Sequence, residues 1–335
     1  MNPIHYHYPS TPSPPRGAYA ATIGFFDGVH LGHQHLLRRL REVAARHGLQ
    51  TMAVTFDRHP RQVVEPGWRP QLLTTLDEKT ALLRLTGIDT LVVLRFDDAL
   101  SALTSRQFMC DVLRCQLGVR LLLTGYDNRF GHDRSATFAD YVAYGREAGM
   151  EVVAAEPLPL RQSVAECLMP AGEPPVAYSS SLVRRLLSAG QVEAAAACTG
   201  RPYSIAGHIV HGEHKGHALG FPTANLMADE PLKLVPARGV YAVEAVTADG
   251  TPHQAMTNIG TRPTFGGERQ TMETNIFGYA GDLYGQPLTI RFMARLRDEV
   301  PFPSTEALAA QLARDRQSAL QHLRPASHFL PADHQ

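Results

Sequence analysis

The sequence lacks the charge bias and the long apolar runs that mark nucleic-acid-binding and membrane proteins. Lys and Arg together number 32, as do Asp and Glu, so the formal net charge of the 335 residues is zero. No basic or acidic run indicates nucleic acid, a membrane surface or a charged tail as partner. No apolar run approaches the ~18 residues of a membrane-spanning helix, and the N-terminus lacks a signal peptide's apolar core. We therefore expect small molecules as the only partners, without nucleic acid or membrane.

Cysteine is also scarce, with Cys110, Cys115, Cys167 and Cys198 as its four occurrences. None of them belongs to a C-x-x-C pair, and their spacing does not indicate a zinc site. Widely spaced cysteines in a chain of this length are typical of reduced thiols in a cytosol. The sequence therefore predicts a cytoplasmic protein.

The first half of the chain alternates short apolar runs with helical stretches. Apolar runs of this kind, without alternation, predict strands that are buried on both faces. The alternation of five strands with four helices predicts a doubly wound, parallel α/β sheet, in which ligands bind at the carboxyl ends of the strands. The predicted strands are residues 20–24, 50–56, 89–94, 120–124 and 151–155, and the predicted helices are 35–47, 76–86, 105–117 and 138–148.

The second half changes pattern from residue 203. Runs rich in β-forming residues, with Gly and Pro between them and no helices, predict an antiparallel sheet or a small barrel. These runs are residues 203–211, 240–247, 254–259, 272–277 and 288–294, and a helix over 305–323 follows with Ser304 as its N-cap. We divide the chain into a flexible tail (1–17), a first domain (18–186), a helical linker (187–201), a second domain (202–324) and another flexible tail (325–335).

A pair of histidines, His30 and His33, stands at the first predicted turn from strand to helix. A helix N-terminus attracts phosphate through its unpaired N–H groups and its positive partial charge. Gly32 has no Cβ, so a nucleotide can approach the backbone closely. Both imidazoles can stabilise the charge that develops when a phosphate attacks the α-phosphorus of ATP. The pattern predicts AMP transfer, and it leaves open surface or capping histidines and simple turn glycines at Gly24 and Gly28.

A second phosphate-binding pattern follows at residues 178–184. Three serines, among them Ser180, stand at a predicted helix N-terminus, and Arg184 lies one turn further along. Hydroxyl and N–H groups there suit phosphate oxygens, and the guanidinium can neutralise a leaving pyrophosphate. An ordinary serine cap with a solvated arginine remains the alternative.

The second half contains a loop with small oxygen donors, residues 216–225. In an extended segment, Thr223 and Asn225 point the same way, so their oxygens can both face one Mg²⁺. Glu273, in a predicted strand, can accept a proton from an attacking hydroxyl. A β-turn at Asn225 and a surface glutamate at position 273 remain the alternatives.

Taken together, these segments resemble the bifunctional riboflavin kinase/FAD synthetase family, in order and over residues 19–323. The matching segments are residues 22–37, 55–60, 125–132 and 179–184 in the first half, and 211–212, 219–226, 239–243, 258–265, 273–277, 282–285 and 295–302 in the second. The resemblance implies a Rossmann-like nucleotidyltransferase domain, then a six-stranded antiparallel β-barrel with a terminal helix.

The resemblance also implies two reactions. The barrel would phosphorylate riboflavin to FMN with MgATP, and the first domain would convert FMN and ATP to FAD and pyrophosphate. In the first domain it implies catalysis by His30, His33 and Arg184, and nucleotide binding by Gly24, Phe25, Asp27, Gly32, Asp127 and Ser180. In the barrel it implies Mg²⁺ and nucleotide binding by Thr223 and Asn225, with Gly220 beside the nucleotide, and Glu273 as the base.

The chain departs from the family pattern at several positions. On the flavin side of the first domain these are Arg58, Asn128 and Asp133, and in the barrel they are His217, Asn275 and the pair Gly278 and Tyr279. Histidine in place of arginine at position 217 weakens charge pairing with phosphate near neutral pH. Two alternatives therefore stay open: a monofunctional FAD synthetase whose barrel only binds flavin, and a flavin-binding regulatory protein without turnover.

Overall fold

A computed structural model describes residues 2–9, 17–125, 129–132, 135–162, 164, 177–211, 221–264 and 267–323 of the chain. The chain forms two compact units, Met1–Ser180 and Ser181–Gln335. Within the described ranges, no helix combines the length and the apolar character needed to cross a membrane.

Six parallel strands form the sheet of the first unit, in the spatial order β1-β4-β3-β2-β5-β6. The strands are β1 Ile4–Tyr6, β2 Tyr19–Ile23, β3 Gln50–Phe56, β4 Thr90–Leu94, β5 Val119–Thr124 and β6 Glu151–Ala154. The direction of strand order reverses between β2 and β5, and in open α/β sheets ligands bind outside the carboxyl ends of the strands at such a point. The predicted doubly wound parallel sheet is confirmed.

Apolar side chains cover both faces of this sheet. Ala21 and Val54 belong to one buried cluster, whereas their neighbours Ala20 and Ala53 belong to a second. The helices of the unit are Leu31–His47, Arg61–Val64, Leu76–Arg84, Asp98–Ser101, Ser105–Gln107, Phe108–Gln116 and Phe138–Ala148. Continuous apolar runs in the sequence thus correspond to strands buried on two sides.

One predicted helix differs in its hydrogen bonding. The sequence predicts a single helix over residues 105–117, but Phe108–Gln116 is π-helical. At its end, the Leu117 N–H donates to the Val112 carbonyl at 2.9 Å, five residues back. The apolar periodicity predicts that a helix is present, but it does not distinguish i−4 from i−5 hydrogen bonding.

The N-terminal segment corrects the prediction of a flexible tail over residues 1–17. Ile4–Tyr6 forms β1, which pairs in parallel with β4 at the edge of the sheet. The Arg95 N–H donates to the Tyr6 carbonyl at 2.9 Å, and Tyr6 is buried. A strand of three residues is too short to show a period, so only its pairing with β4 reveals it.

The second unit contains a closed, six-stranded antiparallel barrel in the order β10-β11-β8-β7-β12-β9. Its strands are β7 Tyr203–Val210, β8 Ala224–Ala228, β9 Gly239–Val246, β10 Pro252–Thr264, β11 Gly267–Ile276 and β12 Pro287–Arg297. The strand pattern of the sequence predicts five of them. The sixth, β8, begins inside the segment that carries Thr223 and Asn225, and it closes the barrel by pairing with β7 and β11.

Helices precede and follow the barrel, namely Ser180–Ser188, Val192–Thr199 and Thr305–His322. The last of these packs Ala319 against Ala242, Met256 and Ala294 of the barrel strands. Asp315 of the same helix is buried and accepts hydrogen bonds from the Arg297 guanidinium, with Oδ2 2.7 Å from Nη2. The predicted barrel with a terminal helix is confirmed.

Candidate active sites

The turn after β2 has an unusual backbone. β2 is buried throughout, and the Gly24 N–H donates to the Val54 carbonyl at 3.0 Å. Phe26 and Val29 then adopt positive φ angles of 53° and 37°. Such values are uncommon for residues other than glycine, above all for a β-branched one, and they persist only where surrounding contacts impose them. Strain of this kind is concentrated at functional sites.

Asp27 supplies the contacts that hold this turn. Its buried carboxylate accepts hydrogen bonds from the backbone N–H groups of Leu73 and Thr74, at 3.0 and 2.9 Å, and from the Thr74 hydroxyl at 3.0 Å. The Thr74 hydroxyl in turn accepts from the Gly28 N–H at 3.0 Å. The resemblance implies that Asp27 holds ATP, whereas these hydrogen bonds direct its carboxylate at the segment after residue 72. They define the shape of the turn.

His30 and His33 lie at the N-terminus of the helix Leu31–His47. His30 is the N-cap, since its Nδ1 accepts a hydrogen bond from the His33 N–H at 3.3 Å. A neutral imidazole that accepts at Nδ1 carries its proton on Nε2, which leaves Nε2–H as a donor. The two rings stack with centroids 3.6 Å apart, and the His33 and Phe26 rings form a T-shaped pair with centroids 5.1 Å apart. The capping role that the sequence left open is therefore real, and it fixes the tautomer that can donate.

Gly32 permits a close approach between two parts of this site. A Cβ at position 32 would lie 3.1 Å from the His30 ring and 3.2 Å from the Tyr178 carbonyl oxygen. Two residues after Tyr178, the Ser180 hydroxyl donates to the Asp27 carbonyl at 2.9 Å. The fold thus brings Gly32 and Ser180 to the histidine turn. Contacts within the protein are therefore one reason for glycine at position 32.

Two other predicted residues of the first site lie elsewhere in the chain. Arg184 lies one turn after Ser180 on the helix Ser180–Ser188, in the second unit. Asp127 lies outside the described residues, as do Asn128 and Asp133. Their roles stay predictions.

Phe25 and a lysine that the sequence analysis missed lie at the edge of the same turn. The Phe25 ring contacts His59 edge-on at 4.8 Å, and Lys79 Nζ lies 4.1 Å from its centroid. Lys79 is 2% exposed and donates to the Phe56 carbonyl at 2.8 Å. Burial lowers the pKa of Lys79 to about 8, although the charges of Asp27 and Asp57 oppose that shift. Its position, three residues after Leu76 and four before Leu83, signals the buried face of a helix.

In the barrel, strand pairing places Glu273 in a row of polar residues. Glu273 of β11 is directly opposite Asn225 of β8 on one side and Asn258 of β10 on the other. Directly opposite residues of antiparallel strands project from the same face, with Cβ atoms about 4.5–5.5 Å apart. The structure therefore brings the predicted residues Asn225 and Glu273 together. The structure adds Asn258, which the sequence singles out only as part of residues 258–265, one of the segments that resemble the family.

A cavity of about 420 Å³ lies next to this row. Among its lining residues are Thr223, Thr274, Tyr279, Asp282 and Tyr284. Thr223 is the predicted metal-binding residue that reaches the cavity. Successive residues of a strand point to opposite faces, so Thr274 faces away from Glu273. The departing residue Tyr279 is part of the cavity wall, whereas His217 and Gly220 lie outside the described residues.

Asn275, another departure from the family pattern, has a defined contact. Its side chain is buried, and Nδ2 donates to the Pro222 carbonyl at 2.7 Å. Pro222 immediately precedes Thr223 and also lines the cavity. The amide therefore ties β11 to the segment that carries the predicted Mg²⁺ ligands.

Comparison with known proteins reveals two family matches in the chain. Residues 13–165 match the family described as FAD synthetase, and residues 199–323 match the family described as riboflavin kinase. A protein of Escherichia coli (strain K12) named bifunctional riboflavin kinase/FMN adenylyltransferase is 36% identical over 307 residues, covering 91% of this chain and 93% of its own length. The chain belongs to the bifunctional riboflavin kinase/FMN adenylyltransferase family. It carries both enzyme domains, so it makes FMN from riboflavin and FAD from FMN.

Relatives from other bacteria carry the same name. Proteins of the same name from Pseudomonas fluorescens and Bacillus subtilis (strain 168) are 36% and 32% identical, over 92% and 90% of this chain and 94% and 91% of their own lengths. A crystal structure named Macrolide-efflux Protein from Streptococcus pneumoniae has a TM-score of 0.80 at 28% identity, covering 94% of this chain and 98% of its own. Its name describes transport, whereas both family matches of this chain are to enzymes. The comparisons lend no support to a monofunctional FAD synthetase.

Proposed function

We propose that the turn after β2 is the site of adenylyl transfer from ATP to FMN, and that the polar row of the barrel is the site of riboflavin phosphorylation. The observation that supports the first assignment most is the stacked pair His30 and His33 at a helix N-terminus. The observation that supports the second is the register that sets Glu273 opposite Asn225.

In adenylyl transfer, a phosphate oxygen of FMN attacks the α-phosphorus of ATP, and the bond to pyrophosphate breaks. The N–H groups at the start of the helix Leu31–His47 attract the phosphates. Nε2–H of His30, with the His33 imidazole beside it, donates to the charge that develops on the phosphate oxygens. Ser180 is proposed to bind the nucleotide through its backbone N–H at the helix N-terminus, and Arg184 is proposed to neutralise the pyrophosphate. Gly24, Phe25 and Gly32 line the nucleotide. Asp127 is proposed to help form the site.

In the kinase reaction, the terminal ribityl hydroxyl of riboflavin attacks the γ-phosphorus of ATP, and ADP leaves. The Glu273 carboxylate accepts the hydroxyl proton. The reacting end of riboflavin lies against the polar row, on the face of the sheet to which Glu273 and Asn225 project. The hydrogen bond from Asn275 to Pro222 keeps Thr223 in place, which supports an active kinase despite the departures from the family pattern.

Thr223 and Asn225 suit Mg²⁺, because both supply neutral oxygen atoms and this ion prefers oxygen ligands. In the described part of the chain, no group of three or more His, Cys, Asp or Glu side chains could hold a metal ion. Bound Mg²⁺ would supply neutralisation of the charge on the phosphates. Gly220 is proposed to lie beside the nucleotide.

We also place both reactions in the cytoplasm. Cys110, Cys115 and Cys198 are free thiols, as expected in a reducing compartment.

Product analysis tests both sites in one experiment. The full-length protein is given riboflavin and MgATP, and the flavins are separated by chromatography over time. We expect FMN to appear first and FAD to follow. Glu273→Gln should stop FMN formation from riboflavin while added FMN is still converted to FAD, and the double variant His30→Ala, His33→Ala should show the reverse pattern. FAD formation at the normal rate in the double histidine variant would refute the assignment of the first site.

A further inference from the structure

Lys79 joins the carboxyl ends of the two central strands of the sheet. β2 and β3 are neighbours, with Ile23 opposite Val54. Phe56 is the last residue of β3, and its carbonyl accepts a hydrogen bond from Lys79 Nζ at 2.8 Å. Phe25 follows β2 by two residues, and its ring centroid lies 4.1 Å from the same Nζ. One buried ammonium group thus contacts both sides of the turn that carries the histidines.

The charge of Lys79 is not explained by an ion pair. In the described part of the chain, no carboxylate lies within 4.0 Å of its Nζ; Asp27 and Asp57 act on it only from a longer distance. The oxygens of Asp27 bond to Leu73 and Thr74, and Asp57 accepts from the Phe96 N–H at 2.9 Å. A buried charge without a close partner opposes folding, so an apolar side chain of similar size would serve stability at least as well. Stability alone therefore gives no reason for a lysine here.

The contacts of Lys79 lead to the proposed catalytic histidines. Phe25 is followed directly by Phe26, which is held at a φ of 53° and whose ring forms a T-shaped pair with His33, the centroids 5.1 Å apart. A shift of Phe25 therefore moves Phe26 and the ring that His33 packs against. Contacts therefore connect Lys79 to Phe25, and through the adjacent Phe26 to His33, all within the first unit.

We propose that Lys79 is a positioning residue for adenylyl transfer, whose ammonium group holds Phe25 and the end of β3 in the arrangement that orients His33. Lys79 does not contact the reacting atoms in this proposal. It rests on the assignment of His30 and His33 to adenylyl transfer. The ionisable groups around it, in the described residues, are Asp27, Asp57 and His59, which contacts the Phe25 ring.

The variant Lys79→Met, made in the full-length protein, tests the proposal. Methionine is unbranched and of similar length, so it fills the space without the charge. We expect kcat/KM for FAD formation from FMN and MgATP to fall on the order of 10- to 100-fold, as for a misplaced catalytic group. FMN formation from riboflavin in the same protein should keep its normal rate, and the thermal midpoint of the first unit should not fall.

The pH profile separates positioning from a structural role. Because the Lys79 pKa is about 8, adenylyl transfer by the normal protein should decline as pH rises through this value. In Lys79→Met this decline should be absent, since no charge is lost. The matched control is Lys233→Met, which replaces another buried lysine that packs on the Tyr203 ring at 5.2 Å. Its adenylyl transfer should equal that of the normal protein.

Two results would overturn the proposal. If Lys79→Met converts FMN to FAD with normal kcat, KM and pH profile, Lys79 does not position the site. If both activities fall together with the thermal midpoint, the lysine is structural. The double variant His30→Ala, His33→Ala is measured alongside: normal FAD formation there refutes the histidine assignment itself, whatever Lys79→Met shows.

Discussion

The rings of His30 and His33 stack at 3.6 Å, while His30 Nδ1 accepts a hydrogen bond from the His33 backbone N–H. His30 therefore caps a helix with one ring nitrogen, and in the proposed site its other nitrogen donates to a phosphate. These tasks can be separated by substitution, because the cap needs only an acceptor whereas the reaction needs a donor.

His30→Ala should lose both the helix cap and the proposed phosphate donor, whereas His30→Asn should keep the cap and lose only the donor. Asparagine is among the best N-cap residues, and losing a cap costs about 1 kcal/mol. We expect His30→Ala to lower both the free energy of unfolding and the rate of FAD formation, the rate by on the order of 100- to 1,000-fold. His30→Asn should regain the stability but not the rate. The measurements are chemical denaturation and FAD formation from FMN, and full activity in His30→Asn would show that His30 only caps.

Asn275→Ala should lower the rate of riboflavin phosphorylation and leave the rate of adenylyl transfer unchanged. It removes the donor to the Pro222 carbonyl, and loss of one such bond is worth about 1 kcal/mol. We expect kcat/KM for riboflavin phosphorylation to fall about fivefold, corresponding to that energy. Asn275→His should recover much of the rate, since an imidazole N–H can also donate. An equal loss of both activities would instead point to general unfolding.

Asp315→Asn should destabilise the second unit. The carboxylate is buried and receives hydrogen bonds from Nε and Nη2 of Arg297. Removing one partner of a buried pair costs about 3–5 kcal/mol because the other charge is left uncompensated. The control is Glu244→Gln, which breaks the more exposed pair with Arg291, 2.7 Å apart, and should cost no more than about 1 kcal/mol. The thermal midpoints of both variants are measured. Equal decreases in the two midpoints would contradict the stronger contribution of the buried pair.

The stability of the first unit should depend on pH through Lys79. Its pKa is about 8 in the folded protein, below the ordinary value of 10.5, so between these values the unfolded chain binds more protons. The contribution of Lys79 to the free energy of unfolding therefore increases as the pH rises from about 8 to 10.5. At 1.36 kcal/mol per pKa unit, the normal protein should gain about 3 kcal/mol relative to Lys79→Met between pH 8 and 10.5. If the free energies of unfolding of the two proteins change equally with pH across this range, the Lys79 ammonium group is not buried as described.

The sequence predicts much of the fold because its patterns are local. Apolar runs of five to seven residues predict five of the six parallel strands, and β-rich runs predict five of the six barrel strands. The remaining two are missed because their strand geometry depends on pairing with distant partners: β1 has only three residues, and β8 begins in a segment that is predicted to be a loop. The π-helical bonding of Phe108–Gln116 is likewise invisible to apolar periodicity.

By itself, the sequence determined the two kinds of chemistry in this protein. Two histidines at a turn from strand to helix predict phosphate chemistry from a local pattern. The kinase is predicted through the resemblance of the second half to a known family, since Thr223 and Asn225 lie far from Glu273 in the sequence. Only the tertiary structure decided which side chains support these motifs. Asp27 meets Thr74 from 47 residues away, Lys79 meets the Phe56 carbonyl from 23, and Asn275 meets the Pro222 carbonyl from 53. Such contacts follow from strand order and barrel closure, which bring distant segments together and which no local pattern encodes.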